Sequence, residues 1–437
     1  MSRTLHFGLH PYGVGGPGSD GLWKDARVAK NASVDIDYYI DWAKLAERGL
    51  FDAFFIVDSQ FINADYPPHY LSRLEPLTLL SAVATHTKNI GLVVTASSTY
   101  NSPFNLARRV ASLDHISHGR AGWNIITTAN DDAAYNFGQK THMEKTLRYE
   151  RAKEFVDICT ALWDGWADDA LIADTARSLF VDYTRIKRLD HHGRFFSVQG
   201  ALQLPRPPQG WPVLIQAGGS PAGTEFAAMV GETIFAAQSK LDEARVFRDA
   251  VMTRMPKYGR SPDAVKILPG LSPIVASTEQ EARRKETELD ELILPAVGVW
   301  MLSEQMQFRL YDYDLDVPLP SADIRASGQA FTPRVVSLMD RADRDGLTVR
   351  ACANLVAKSR SHGTFVGTVE GLVHHMETWL DTGGSDGFNI MPAYFPDELD
   401  VFVDEVVPVL QRRGLFRTDY EGTMLRDHLG LPYPQRR

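Results

Sequence analysis

A glycine-rich segment at positions 216–226, QAGGSPAGTEF, has the residue types of an anion-binding turn. Ser220 is a favourable N-cap and Pro221 a favourable first helical residue, so the amides of the first turn remain free to bind a negative charge. Gly218 and Gly219 would let the backbone approach a phosphate closely. A plain turn with a serine cap fits the local sequence equally well. The segment is therefore a candidate phosphate site.

Four further polar residues, Asp58, Ser97, Asn124 and Thr128, lie in or just beyond short apolar runs. Taken singly, each has a structural explanation, because a carboxylate or hydroxyl can cap a turn and an amide can satisfy a buried backbone group. Their common place at the ends of apolar runs favours a functional explanation. Parallel barrels build their active sites from the C-terminal ends of strands and the loops that follow.

The elements that would position these residues alternate between short apolar runs and longer amphipathic runs. The short runs are nearly continuous, as in strands covered on both faces, and the longer ones have the three- and four-residue spacing of helices. Eight strands are predicted, at 5–10, 51–57, 90–97, 121–127, 213–217, 232–237, 266–275 and 386–391. Eight strand–helix units favour a closed (β/α)8 TIM barrel over an open sheet.

Three segments do not fit this repeat. Segment 11–34 is rich in glycine, 164–212 contains several prolines, and 293–365 combines short helices with a charged stretch. We interpret them as insertions in a single barrel domain that spans residues 1–437. Loops at 11–34, 59–74 and 293–335 are candidates to cover the site.

Composition and charge exclude several classes of protein. Apolar residues make up 44% and charged residues 23%, as in a globular protein with a core, and the net charge of −9 gives no reason to bind nucleic acid or an anionic membrane surface. We find neither a signal peptide nor an apolar run of the roughly 20 residues that cross a bilayer. Cys159 and Cys352 lie in elements expected to be buried, which argues against a disulfide framework. We therefore expect a cytoplasmic protein.

A second glycine motif, GVGGPG at 13–18, matches the G-x-G-x-x-G pattern of dinucleotide-binding folds. Pro17 interrupts it and the next predicted helix starts near Asp35, so no helix N-terminus would meet a pyrophosphate. A loop over the site explains these glycines better. No metal site is expected either, because the histidine pairs are adjacent in sequence and their side chains would diverge.

Longer stretches resemble the two-component, FMN-dependent monooxygenases of the bacterial luciferase-like barrel family. The similarity is to the branch of nitrilotriacetate, dibenzothiophene sulfone and long-chain alkane monooxygenases, and it covers nearly the whole chain. The matching stretches are SDGLWKD at 19–25, AERGLFDAFFIVDS at 46–59, the run 95–130, RYERAKEF at 148–155, LPRPPQGWPVLIQAGGSPAG at 204–223, KYGR at 257–260, DGFNIMPAYFP at 386–396 and the run 406–431. The last stretch is most similar to the nitrilotriacetate type.

The resemblance implies an FMN at the C-terminal face of the barrel. Asp58 and Ser97 would lie along the isoalloxazine and ribityl chain, and Asn124 near the ring. The residues placed at the phosphate are Tyr149, Gly219, Ser220 and Lys145.

Two of these positions depart from the family pattern. Lys145 stands where the family usually has a histidine, four residues before Tyr149. One helical turn keeps both on the same face, and a lysine can hold a phosphate as a point charge. Gly219 stands where relatives often have serine, which removes a hydroxyl and keeps a backbone N–H.

The resemblance further implies the reaction and its partners. A separate NAD(P)H:FMN reductase would supply reduced FMN (FMNH2), O2 would be the co-substrate, and one oxygen atom would be transferred to a small organic substrate. A homodimer or homotetramer is expected. Two alternatives remain open: an F420-dependent oxidoreductase on the same barrel, and a flavin-binding relative without turnover, which the changes at 145 and 219 would suit.

Charged and aromatic loop residues give conflicting indications of the substrate. Lysine and arginine side chains would suit an aminopolycarboxylate, although solvated loop charges explain them equally well. Aromatic side chains would suit a flat aromatic or sulfur-containing compound. The basic residues are Lys24, Arg27, Lys30 and Arg73, and the aromatic ones are Tyr12, Phe61, Tyr66 and Tyr70.

Overall fold

Short buried runs form the parallel strands of a closed barrel. The computed structural model describes residues 4–15, 21–62, 71–329, 331, 333–359 and 362–436. In chain order the strands are β1 (His6–Leu9), β2 (Ala53–Ile56), β3 (Gly91–Ser97), β4 (Ala121–Ile126), β5 (Leu171–Asp174), β6 (Leu179–Val181), β7 (Leu189–His192), β8 (Ser197–Gly200), β9 (Val213–Gln216), β10 (Thr233–Ala236), β11 (Lys266–Val275), β12 (Gly363–Gly367) and β13 (Gly387–Ile390).

The barrel is closed by eight of these strands. They follow one another in the order β1, β2, β3, β4, β9, β10, β11 and β13, and β13 pairs with β1. All eight coincide with the strands predicted from sequence, so the (β/α)8 barrel is confirmed. A dinucleotide fold around the GVGGPG motif does not fit this topology; residues 16–18 of that motif lie outside the described residues.

Helices cover the outside of the barrel. They are α1 (Ile36–Arg48), α2 (Pro76–Val83), α3 (Pro103–Ile116), α4 (Lys145–Trp163), α5 (Pro221–Val230), α6 (Leu241–Arg254), α7 (Glu279–Glu291), α8 (Pro295–Met306), α9 (Ser321–Ala326), α10 (Pro333–Asp345), α11 (Val349–Ser359), α12 (Val369–Asp381), α13 (Asp397–Val401), α14 (Val407–Arg412) and α15 (Leu425–His428). α1 begins next to Asp35, as predicted. The Asp35 side chain caps this helix by accepting a hydrogen bond from the Asp37 amide. No helix of the described residues is both long and apolar enough to span a bilayer.

The segment 164–212 contains two hairpins that the sequence analysis did not predict. β5 pairs with β6 and β7 with β8, each pair antiparallel. Their residues alternate between exposed and half-buried, and runs such as LDHH and SVQG are polar. Such strands lack the continuous apolar pattern by which the barrel strands were found.

The segment 293–365 forms a helical layer with its own buried cluster. α8, α9, α10 and α11 lie here, and the cluster includes Leu302, Met306, Ile324, Met339 and Cys352. β12 was not predicted; it pairs with the second half of β11, from Leu271 to Val275. The first half of β11 closes the barrel against β10. This long strand therefore connects the inserted helices to the barrel wall.

The interior of the barrel is filled from its N-terminal end. Phe55, Val93, Ile215 and Phe235 pack inside together with Leu425 of the C-terminal segment. Because that end is filled, the C-terminal ends of the strands form the mouth at which a ligand can enter.

The buried carboxyl of Asp114 predicts a pH dependence of stability. It accepts hydrogen bonds from the Ala121 amide (3.0 Å) and from Gln209 Nε2 (2.6 Å), yet burial raises its pKa from 3.8 to about 6. The folded state then binds this proton more tightly than the unfolded state, so stability falls as pH rises from about 4 to 6.

We expect Asp114→Asn to lack this dependence. The free energy of unfolding of the native protein should fall, relative to the variant, by on the order of 3 kcal/mol between pH 4 and 7. Denaturant unfolding of both proteins across that range measures it. A difference that does not change with pH would contradict the shift.

Candidate functional site

The ends of β3 and β4 are joined by a hydroxyl pair at the mouth. Ser97, the last residue of β3, is fully buried, and its Oγ lies 2.7 Å from Thr128 Oγ1. The same oxygen accepts a hydrogen bond from the Thr99 amide at 3.0 Å. Ser97 therefore fixes the loop after β3 and the loop after β4 to each other.

Asn124 presents an unsatisfied acceptor on the inner side of β4. Its Nδ2 donates to Thr95 Oγ1 at 3.0 Å, whereas its Oδ1 is buried and has no hydrogen-bond partner among the described residues. A buried polar atom without a partner costs free energy. The Asn124 amide is thus suited to bind a ligand group that donates a hydrogen bond to Oδ1. If the amide oxygen and nitrogen exchange places, it could instead donate to a ligand acceptor.

Asp58 follows β2 at the mouth. Its carboxylate accepts a hydrogen bond from the Ser59 amide at 2.9 Å. Burial raises its pKa, and the nearby Arg73 guanidinium opposes that rise. A carboxyl group with a raised pKa at a strand end is a common feature of functional sites.

The turn between β9 and α5 has the predicted form. Ser220 Oγ accepts a hydrogen bond from the Gly223 amide at 3.2 Å, and Pro221 opens the helix. The backbones of Gly218 and Gly223 lie against each other, since a Cβ on Gly223 would come within 2.9 Å of Gly218 C and O. A Cβ on Gly219 would meet nothing within 4 Å. The turn is therefore fixed on one side and open on the other.

Tyr149 reaches this turn from α4. Its ring packs edge-on against Phe226 with centroids 5.8 Å apart, and its hydroxyl lies 3.2 Å from the Cβ position of Gly218. Lys145 is the first residue of α4 and is exposed. Tyr149, Gly219 and Ser220 thus come together, with Lys145 one helical turn before Tyr149.

Two histidines at the mouth were not singled out from the sequence. His10 follows β1, is 1% exposed, and its Nδ1 has no hydrogen-bond partner. Burial, with His362 and Arg73 nearby, lowers its pKa to about 3. His142 bridges the Tyr100 hydroxyl and the Thr128 carbonyl. The sequence signal for His10 was its place at the end of the predicted strand 5–10, whereas the role of His142 depends on contacts made only in the fold.

The basic loop residues do not all face a ligand. Arg27 pairs with Asp25, at 2.6 Å between Nη2 and Oδ2, and its guanidinium lies 4.0 Å from the centre of the Tyr394 ring. A substrate would have to compete with that carboxylate, so the structure does not favour Arg27 as a substrate-binding residue. Tyr66 and Tyr70 lie outside the described residues.

Comparison with known proteins identifies the family. The family model described as Luciferase-like monooxygenase matches residues 22–386 of the chain. The chain belongs to this family. It is 46% identical over 416 residues to the N-acetyl-S-(2-succino)cysteine monooxygenase of Bacillus subtilis (strain 168), covering 95% of this chain and 94% of that protein. It is 41% identical over 431 residues to nitrilotriacetate monooxygenase component A of Aminobacter aminovorans, with the same coverage.

A solved structure supports the same assignment for the whole chain. The EDTA monooxygenase from Chelativorans sp. BNC1 superposes with a TM-score of 0.81 at 32% identity, covering 99% of both chains. The luciferase-like monooxygenase predicted from the resemblance is therefore confirmed: the chain is a flavin-dependent monooxygenase that acts on a small organic substrate. This is favoured over the F420-dependent oxidoreductase and over the relative without turnover.

Proposed function

We propose that this monooxygenase is the oxygenating component of a two-component system. It would take reduced FMN from a separate NAD(P)H:FMN reductase and, with O2, oxygenate a small substrate that carries several carboxylates. The observation that carries the proposal is the turn between β9 and α5, where the Tyr149 hydroxyl lies beside Gly218 and Ser220 caps the helix that follows.

The residues at this turn fit the phosphate of FMN. The amides at the start of α5 supply donors at the positive end of the helix, and the Tyr149 hydroxyl supplies another. Lys145 adds a cation one helical turn away, in place of the family's histidine. No atom of the described residues lies within 4 Å of the Cβ position of Gly219, so the turn has room on that side for a bound group.

The residues at the strand ends fit the remainder of the flavin. Asn124 offers the free amide oxygen described above, and Asp58 and Ser97 lie at neighbouring strand ends. Asn124 would orient the ring. Ser97, already bonded to Thr128, would act by holding the loops after β3 and β4 in position.

Bound reduced flavin supplies the two electrons with which O2 is cleaved, one oxygen atom entering the substrate and the other leaving as water. The residues of this chain would bind the flavin and the substrate and would exclude water from them. His10 and Phe235 lie at the inner side of the mouth, with ring centroids 5.8 Å apart, and both are less than 10% exposed, so they would help to keep water from a bound flavin. A neutral His10 also adds no positive charge there.

The relatives favour an acidic substrate. N-acetyl-S-(2-succino)cysteine, nitrilotriacetate and EDTA are the compounds in the names of the three similar proteins, and each carries several carboxylates. Aryl sulfones and alkanes are the alternative that a substrate panel would reveal.

The test is a reconstitution with labelled oxygen. The purified chain alone should oxidise NADH no faster than buffer does, because the separate reductase would carry the NADH-binding site. When an FMN reductase and ¹⁸O2 are added, the enzyme should convert one of the polycarboxylates tested, and the product should contain one ¹⁸O atom. Rapid NADH oxidation without the reductase, or product only from sulfones or alkanes, would contradict the proposal.

A further inference from the structure

Arg148 is a cation at the mouth of the barrel without a close carboxylate partner among the described residues. It lies half-buried in the first turn of α4. Its Nη1 donates to the Thr128 carbonyl and contacts His142 Nε2. Among the described residues its Nε is buried and has no hydrogen-bond partner, and its guanidinium forms no close ion pair, although the Glu144 carboxylate at the start of α4 interacts with it electrostatically. The guanidinium therefore keeps N–H donors and a charge to be satisfied.

Three other shielded arginines of the barrel either pair with a carboxylate or donate to several backbone carbonyls. Arg206 pairs with Asp164 at 3.0 Å, and Arg426 with Glu232 at 2.6 Å. Arg120 has no carboxylate partner but donates to four backbone carbonyls. Arg426 also has a buried Nε without a partner, but Glu232 balances its charge, whereas Arg148 lies near the strand ends that form the mouth and has no such ion pair among the described residues.

A network holds Arg148 in place. The His142 ring lies between the Tyr100 hydroxyl and the Thr128 carbonyl, the latter 2.9 Å from Nε2. Tyr100 is itself stacked on Phe137, with centroids 4.4 Å apart and planes 5° apart. The hydrogen bonds and contacts of Arg148 with residues 127, 128 and 142 involve Nη1, so the edge formed by Nε and Nη2 includes a buried donor, Nε, that has no partner among the described residues.

This edge matches a carboxylate. Two parallel N–H groups of a guanidinium bind the two oxygens of a carboxylate in a fork, with defined orientation. We propose that Arg148 binds a carboxylate of the substrate through Nε and Nη2, and that His142 is its positioning residue. The proposal rests on the oxygenation of an acidic substrate proposed above.

The direction of the side chains favours the substrate over the FMN phosphate. Adjacent helical residues diverge by about 100°. Tyr149 points to Gly218 beyond β9, whereas Arg148 points to Thr128 at the end of β4, beside the end of β3. The proposed phosphate donors, including the Tyr149 hydroxyl, thus lie on one side of α4, whereas Arg148 points to the other side of this helix.

Binding measurements with an acid and its ester separate these possibilities. We would titrate N-acetyl-S-(2-succino)cysteine, its trimethyl ester and nitrilotriacetate into the FMN-loaded protein by calorimetry. Arg148→Met should weaken binding of the two acids at least tenfold and leave the ester and FMN within twofold. Lys153→Met, an exposed cation on the same helix, is the matched control and should change none of these affinities.

Each other outcome overturns the proposal in a recognisable way. Weaker binding of FMN with unchanged binding of riboflavin would assign Arg148 to the phosphate. Loss of acid, ester and FMN together would indicate a structural role. No acid binding by the native protein, or equal acid binding by Arg148→Met, would mean that Arg148 is no carboxylate site. The labelled-oxygen experiment is independent of these, so the proposed function can fail while acid binding at Arg148 persists.

The positioning role of His142 has its own signature. His142→Phe should raise KM for the acid about fivefold with little change in kcat, and His142→Gln should recover most of the loss because its amide can still reach the Thr128 carbonyl. Equal loss in both variants would remove His142 from the proposal.

Discussion

Replacing Gly223 with Ser is expected to weaken FMN binding about thirtyfold, or about 2 kcal/mol. The substitution should not harm the helix itself, because serine has a higher helix propensity than glycine. Its Cβ would, however, press on the Gly218 backbone at 2.9 Å, and backbone atoms cannot move aside without shifting the turn. A shifted turn loses hydrogen bonds to a charged phosphate, each of about 1.5–3 kcal/mol.

Gly219→Ser is the matched control, since it adds the same atoms in the same turn. Nothing lies within 4 Å of that Cβ position, so the turn can keep its shape. The new hydroxyl would also restore the group that relatives often carry there, and FMN should bind equally well or several-fold more tightly. Fluorescence titration with oxidised FMN and anaerobic titration with FMNH2 measure both variants. Equal weakening in the two would place the phosphate elsewhere.

The barrel strands could be predicted because the evidence for each is local. A strand covered on both faces must be apolar throughout, so FDAFFIV and IGLVVTAS are visible in the sequence without knowledge of their neighbours. The hairpins β5–β6 and β7–β8 are partly exposed and their residues alternate. β12 was missed for a related reason, since GTFVG is short, half-buried and bounded by glycines.

The residues of the candidate site also fall into those that local sequence can reveal and those that depend on distant contacts. Ser220 could be recognised because a helix cap depends on the next three residues. Arg148 and His142 could not, because their contacts with Thr128 and Tyr100 join positions 14 to 42 residues apart. For Arg27 the sequence left two explanations open, and its ion pair with the nearby Asp25 favours a loop charge over a substrate contact.

A second large effect is expected at the other end of the barrel, where Arg120→Met should lower the free energy of unfolding by about 3–5 kcal/mol. The Arg120 side chain is 2% exposed and donates to the carbonyls of Ser117, Ile90, Ala84 and Thr87 at 2.7–3.1 Å. Methionine fills a similar space but supplies no donor, so several buried carbonyls would be left without a partner. Denaturant unfolding measures the loss.

Arg309→Met is the control for this change, because its side chain is 75% exposed and its contacts within the described residues are local, an ion pair with Asp312 and the ring of Tyr311. Removing it should cost less than about 0.5 kcal/mol. Folded Arg120→Met should still bind FMN with nearly native affinity, because Arg120 lies at the start of β4 and the proposed contacts lie beyond the opposite ends of the strands. Loss of FMN affinity without loss of stability would contradict this division, in which one end of the barrel supplies stability and the other supplies binding.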